Sequence, residues 1–326
     1  MAGAARAVDD NGSPRPAGPG VAALVVGFGS IGRRHADVLG AMGCTVAVVS
    51  RRPVEAGTTY PSIAAAVEGH GPGYVVIANG TGDHRRALAE LAAAGYRGPV
   101  LVEKPLADAC FEPPPLPFAS VFVGYNLRFH PGLQRLRQLL SGERVLSVQA
   151  YAGQYLPDWR PGRDYRNSYS SSRRAGGGVL RDLSHELDAL SWILGRWKAV
   201  AATGGHLGSL EIDCEDTVVA VLELERCPAV SLQLNYLDRI GQRQLLVNTD
   251  RQSFALDLVG GSLRWGPGGE EAEEVGVARD VTYRRQHSAA LAGPHDDLCT
   301  IGEAQEVLRL IAAIERSMTT RSWVTR

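Results

Sequence analysis

Residues 21–52 read VAALVVGFGSIGRRHADVLGAMGCTVAVVSRR: an apolar run, a glycine turn, a helical stretch and a second Val-rich run, which is the pattern of a βαβ unit. The runs VAALVV and TVAVVS are apolar throughout rather than alternating, as strands covered on both faces by helices are. Working outward, Tyr74-Val75-Val76-Ile77-Ala78 precedes the polar turn Asn79-Gly80-Thr81-Gly82-Asp83 and a helix starting near His84. A fourth run, Pro99-Val100-Leu101-Val102, leads into Glu103-Lys104-Pro105. Together these repeats predict a doubly wound parallel α/β domain with its ligands at the carboxyl ends of the strands.

After Lys104 the four prolines of CFEPPPLPFAS forbid the helix that normally returns the chain to such a sheet. The domain boundary is expected after a strand at Ser120–Val123, giving a dinucleotide-binding domain over 21–123 and a second domain over 124–326. That second domain should hold a helix over 131–140, a long helix over 178–194 and a closing helix over 297–317. Between them, DTVVAVLELE, AVSLQLNYL, RQLLVNT and SFALDL alternate with period two, as strands of a mostly antiparallel sheet with one covered face do. The acidic EEAEE (270–274) reads as a solvated loop.

Composition narrows the partners. The 326 residues, 44% hydrophobic and 21% charged, are globular in balance and long enough for two domains. A formal net charge of −1 supplies no field toward nucleic acid or anionic lipid, which leaves a small molecule as the default ligand. Five cysteines without a C-x-x-C pair fit neither a zinc cluster nor a disulfide framework and point to a reducing cytoplasm with no metal. Residues 1–20 lack the apolar core of a secretory signal and read as a disordered tail. No apolar run is long enough to span a membrane.

Gly27-Phe28-Gly29-Ser30-Ile31-Gly32 matches G-x-G-x-x-G directly after a strand and before a helix, the context in which this motif cradles a pyrophosphate. Glycine turns without a ligand also occur. Where an NAD site places a carboxylate on the ribose, this chain has Ser50-Arg51-Arg52, so NADP is the preferred cofactor and NAD a possible one. The other reading is arginine by habit, since among 34 basic residues only Lys104 and Lys198 are lysines. In so Arg-biased a chain, Lys104 at the end of the fourth run stands out as a group to polarise a reacting oxygen, against the plainer reading of a surface lysine.

In GGGVLRDLSHELDALSWILG (176–195) the leucines 180, 183, 187, 190 and 194 form an apolar stripe, with Asp182 and His185 three apart on the opposite side. An imidazole beside a carboxylate suits general acid/base work, although Glu186 and Asp188 allow the reading of an ordinary charged surface. Just upstream, Tyr155, Trp159, Arg163 and Tyr165 crowd one loop that either stacks on a charged or nucleotide-linked sugar or forms a subunit contact.

Taken in order, GFGSIG, IANGTGDH, VEKP, GYNLRFHP and GGGVLRDLSHELD resemble the Gfo/Idh/MocA family of glucose-fructose oxidoreductase and inositol dehydrogenase, over residues 21–318. The resemblance implies a Rossmann domain followed by an α+β domain with a large open sheet, and reversible hydride transfer at a secondary alcohol of a sugar, sugar derivative or cyclitol. It implies Lys104, Asp182 and His185 as catalytic residues, and Asn79, Thr81, His84 and Glu103 around the nicotinamide half. Asn126 and Arg128 would border the substrate. It also implies a homodimer or homotetramer built through the sheet. The family pair is commonly D-x-x-x-H, whereas Asp182 and His185 are separated by two residues. Two rivals stay open: reduction of a C=N bond, and a dinucleotide-binding sensor without turnover.

Overall fold

The computed structural model describes residues 20–50, 54, 57–112 and 115–326. In chain order the first elements are β1 (Ala22–Val26), α1 (Ser30–Ala41), β2 (Thr45–Val49), β3 (Thr58–Tyr60), α2 (Ile63–His70), β4 (Tyr74–Ile77), α3 (His84–Ala93), β5 (Pro99–Val102) and β6 (Ser120–Val123). Next come α4 (Pro131–Leu139), β7 (Val145–Gly153), α5 (Val179–Asp182), α6 (Ser184–Leu194), β8 (Trp197–Gly205), β9 (Thr217–Leu224), β10 (Cys227–Asn235), β11 (Gln242–Thr249), β12 (Ser253–Asp257), β13 (Ser262–Gly266) and β14 (Glu271–Glu274). The chain closes with α7 (Val281–Ala292), β15 (Cys299–Thr300), α8 (Ile301–Thr320) and β16 (Val324–Thr325). The tail expected over 1–20 lies outside the described residues except for Gly20.

Two compact units result. The first takes the chain up to Ala107 with Phe111–Phe129 and Arg279–Gly302, and the second takes Asp108–Cys110, His130–Ala278 and Glu303–Arg326. The single boundary read after Val123 therefore differs from the structure at three places: 108–110 go with the second unit, 124–129 stay with the first, and 279–302 return to it. Apolar burial explains the return. Ala289 and Ala290 of α7 and the following Leu298 pack into one core cluster with Val76, Leu101 and Phe122, and Cys299–Thr300 add β15 antiparallel to the edge of β6.

The first unit holds a seven-stranded sheet in the order β15-β6-β5-β4-β1-β2-β3, parallel from β3 to β6. That is a doubly wound sheet whose strand order reverses between β1 and β4, where such folds open their ligand crevice. The apolar runs behave as read: Ala23, Leu24 and Val25 of β1 and all of β4 are buried. No helix is described between β5 and β6, as the prolines require.

The second unit holds a nine-stranded sheet in the order β14-β13-β12-β11-β7-β10-β9-β8-β16, antiparallel except for β7 beside β10. Its period-two reading holds in β9, where Val218, Ala220, Leu222 and Leu224 point inward while Val219 and Val221 are exposed. Three readings are corrected. Glu271–Glu274 form the edge strand β14 rather than a loop, because pairing with β13 needs only backbone groups. The closing helix begins at Ile301, since Cys299 and Thr300 are spent on β15. The long helix over 178–194 is broken at Leu183 (φ −97°, ψ 27°) into α5 and α6, and Glu186 and Asp188 are buried rather than on a charged surface.

Candidate active site

The glycine turn sits between β1 and α1, beside the switch point. Gly27 has φ +96°, and a Cβ there would lie 2.6 Å from the backbone of Asn79, so the turn requires glycine where β1 and β4 approach. A Cβ on Gly32 would collide with the Gly27 carbonyl, which fits close packing of helix on strand. Gly29 differs: a Cβ there meets nothing within 4 Å. Gly29 and Ser30 are exposed, and Gly29 caps α1 without any side-chain hydrogen bond, leaving the first backbone N–H groups of α1 free to meet an anion. Ile31 is half-buried behind them.

Across the switch point, the buried Asn79 Oδ1 has no hydrogen-bond partner among the described residues. Such an atom ordinarily costs about 1–3 kcal/mol, which marks it as a place for a ligand donor. Open space at Gly29, free helix amides and an orphaned acceptor at Asn79 together fit a dinucleotide, with Gly27–Gly32, Asn79 and Thr81 as the residues to hold it. Thr81 starts a one-turn helix, Thr81–Asp83, and is half-buried. Ser50 is half-buried at the end of β2, whereas Arg51 and Arg52 lie outside the described residues.

His84 and Glu103 are interior rather than lining residues. His84 is 1% exposed, with Nδ1 against the carbonyls of Pro105 and Leu106 and Nε2 against that of Asn79, so it ties the turn after β4 to the segment after β5. Burial lowers its pKa. Glu103 accepts from His35 Nε2 at 2.9 Å and from the Lys104 backbone N–H at 3.2 Å. Lys104 itself is half-buried, at the carboxyl end of β5 and before a cis Pro105 peptide. Asn126 and Arg128 are interior too: Asn126 Nδ2 donates to Thr282 Oγ1 at 2.7 Å, and Arg128 is 2% exposed.

In the second unit Asp182 ends α5 and His185 lies in the first turn of α6, so the break at Leu183 places the pair on two helices rather than on one face. Asp182 is buried and accepts from the Tyr236 hydroxyl at 2.6 Å. Burial and the Asp182 charge raise the pKa of Tyr236 well above the usual phenol value, so its hydroxyl stays protonated beside this carboxylate. His185 is half-buried, and its neighbour Glu186 is held in an ion pair by Arg243 of β11.

Two of the three glycines before α5, Gly177 and Gly178, serve the protein's own packing. A Cβ on Gly177 would strike the Tyr169 carbonyl, and one on Gly178 (φ +111°) would strike the carboxylate of the buried Glu215. Glu215 in turn accepts from the Leu180 N–H, which caps α5.

The loop that carries the aromatic cluster forms a cavity of about 330 Å³ lined by Leu156, Trp159, Arg160, Arg163, Tyr165 and Ser168 among others. Trp159, Arg163 and Tyr165 are thus brought together as read, while Tyr155 stands apart with the Arg239 guanidinium 3.7 Å over its ring. Trp159 meets the ring of Tyr236 edge-on at 5.3 Å. A continuous path of contacts therefore runs from the cavity through Trp159 and Tyr236 to Asp182. Tyr236 was missed in sequence, although the alternation Leu232, Leu234, Tyr236 points it inward, where a buried hydroxyl needs a partner.

Residues 133–255 match the model of the GFO/IDH/MocA C-terminal domain, in agreement with the resemblance carried by the motifs. No curated protein matches the chain by sequence. Among solved structures, GenD2 from gentamicin A biosynthesis, in complex with NAD, is 22% identical with a TM-score of 0.76, covering 94% of this chain and 96% of that one. UDP-N-acetylglucosamine 3-dehydrogenase GnnA from Acidithiobacillus ferrooxidans is 19% identical with a TM-score of 0.74, covering 92% and 98%. Levoglucosan dehydrogenase, in complex with NADH and L-sorbose, is 15% identical with a TM-score of 0.78, covering 93% and 98%. At these identities the likeness is one of fold.

Proposed function

We propose that this chain is an NAD(P)-dependent oxidoreductase that acts at a secondary alcohol or ketone of a sugar, sugar derivative or cyclitol. The observation that carries the reading is the glycine turn at the switch point, open at Gly29 and faced by the unpartnered Asn79 Oδ1. The GFO/IDH/MocA match and the sugar dehydrogenases among the structural neighbours support it. A bound nicotinamide would supply the hydride donor or acceptor. For its part, the protein uses His185 to take or return the alcohol proton, with Asp182 held nearby by Tyr236 as a positioning carboxylate. The Lys104 ammonium donates to the reacting oxygen and stabilises charge that develops there. The cavity at Trp159, Arg163 and Tyr165 stacks and anchors the substrate, and its guanidiniums favour a sugar with an anionic or nucleotide substituent. NADP is preferred, on the reading of Ser50-Arg51-Arg52.

The test is turnover on a panel of sugars, cyclitols and nucleotide sugars with each cofactor. His185→Ala should lower kcat/KM by about 10²–10⁴-fold, and Lys104→Ala by about 10²–10³-fold. Wild-type kcat/KM in both variants on a true substrate contradicts the assignment.

A further inference from the structure

Four buried polar groups of the first unit form one hydrogen-bonded line that the reaction as proposed does not use. Tyr74 of β4, His287 of α7 and His35 of α1 are each 0% exposed, and Glu103, just after β5, is 7% exposed. The Tyr74 hydroxyl lies 3.0 Å from His287 Nδ1, His287 Nε2 lies 2.9 Å from His35 Nδ1, and His35 Nε2 lies 2.9 Å from Glu103 Oε1. The other carboxylate oxygen, Oε2, accepts the backbone N–H of Lys104.

The two ends decide the direction of every bond. An ionised Glu103 only accepts, so His35 Nε2 carries a proton. Tyr74 carries one proton, which goes to His287 Nδ1. A neutral imidazole carries one N–H, so His287 then donates from Nε2 and His35 accepts at Nδ1. All three donors point along the line toward Glu103, and chains of this kind polarise one another in a low dielectric. The ionisation states agree: burial holds His287 well below the usual imidazole value and raises the Tyr74 phenol. Burial also pushes Glu103 upward, but the hydrogen bond from His35 together with Lys104 outweighs it and leaves Glu103 low. The space around the carboxylate is closed as well, since a Cβ on Gly124 would lie 2.8 Å from Glu103 Oε1. The Tyr283 ring meets His35 edge-on at 5.5 Å.

We propose that Tyr74, His287 and His35 are positioning residues: their line of donors fixes the Glu103 carboxylate, which holds the Lys104 backbone and so sets where the Lys104 ammonium is presented. The catalytic consequence rests on the hydride-transfer reading above, whereas the placement of Lys104 does not, so the two can fail separately.

The experiment uses the full chain labelled with ¹⁵N-histidine and with ¹³C,¹⁵N-lysine. Because Lys104 and Lys198 are the only lysines, two lysine signals suffice, with Lys198 as internal control. In the wild type, His35 and His287 should both appear as neutral Nε2–H tautomers at neutral pH. His287→Leu, which removes both nitrogens, should shift the Lys104 signal and leave Lys198 unmoved, while His287→Gln, which keeps one acceptor and one donor, should leave both near their wild-type positions. On a turned-over substrate, His287→Leu and Tyr74→Phe should lower kcat roughly tenfold, worth one decade of barrier, with dinucleotide affinity and substrate KM unchanged, and His287→Gln should restore it. An Nδ1–H or doubly protonated ring in the wild type overturns the proposal, as does a Lys104 signal indifferent to His287→Leu in a folded variant. If no substrate is turned over, the oxidoreductase reading falls while the lysine and histidine spectra still decide this one.

Discussion

The Tyr236 hydroxyl donates to the Asp182 carboxylate at 2.6 Å, joining the end of β10 to the end of α5. Both groups are buried, and Trp159 at the cavity packs edge-on against the same Tyr236 ring. The Asp182 carboxylate is thus held by the residue whose ring also touches Trp159 of the proposed substrate cavity.

Removing that hydroxyl tests the relationship. Tyr236→Phe keeps the ring against Trp159 but leaves the buried Asp182 oxygen without this donor, which should destabilise the fold by about 1–3 kcal/mol. Chemical unfolding of the variant reads this loss. A variant as stable as the wild type would show that Asp182 is adequately held without Tyr236.

The glycines of the turn should separate folding from binding. Gly29→Ala adds a Cβ into open space, so it should leave the melting temperature near the wild-type value while weakening the dinucleotide. Gly27→Ala forces an L side chain to φ +96° and to 2.6 Å from the Asn79 backbone, so it should destabilise the first unit directly. Thermal melts with and without dinucleotide distinguish the two patterns.

Acid should loosen the first unit in two stages. Burial holds both His287 and His84 below the ordinary imidazole value of 6.5. A group depressed on folding stabilises the native state above its unfolded pKa and loses that contribution as pH falls, because the unfolded chain then binds the proton. Stability should therefore be full above pH 6.5 and decline below it, by at most about 1.4 kcal/mol per pH unit for each group. Glu103, lowered by His35 and Lys104 against the effect of burial, adds a further loss below its ordinary 4.5. Urea midpoints measured against pH should fall less steeply in His287→Gln than in the wild type.

Much of this was legible in the sequence because it depends on local signals. The apolar runs around GFGSIG and the strand-turn-helix context define β1, α1 and the tight turn between them without any long-range information. What was not legible depends on partners far away in the chain. The helix α7, VTYRRQHSAALA, has no apolar stripe and joins the first unit through small residues and His287, so nothing local announces its return. The break at Leu183 lies within a perfect leucine spacing. The glycines at 177 and 178 look like ligand glycines until Tyr169 and Glu215 are seen against them. Histidine 84 was read as a ligand group because its burial against three carbonyls is a tertiary fact.

The outer face of the nine-stranded sheet gives a fourth expectation. Val219 and Val221 of β9 and Leu246 of β11 are 37%, 46% and 38% exposed, an apolar surface of the kind that marks an interface. We expect a homo-oligomer through this face. Val221→Lys should then shift the mass measured by light scattering toward the monomer without lowering the melting temperature of the isolated chain, and an unchanged mass would place the contact elsewhere.

The central claim is that the turn Gly27–Gly32 holds a dinucleotide, and native mass spectrometry of the freshly purified protein with NADPH and NADH added in competition tests it most directly. The account predicts one dinucleotide adduct per chain with NADP(H) favoured. An adduct of NAD(H) alone would make Arg51 and Arg52 compositional and overturn the cofactor preference. No adduct from a folded chain would contradict the account itself.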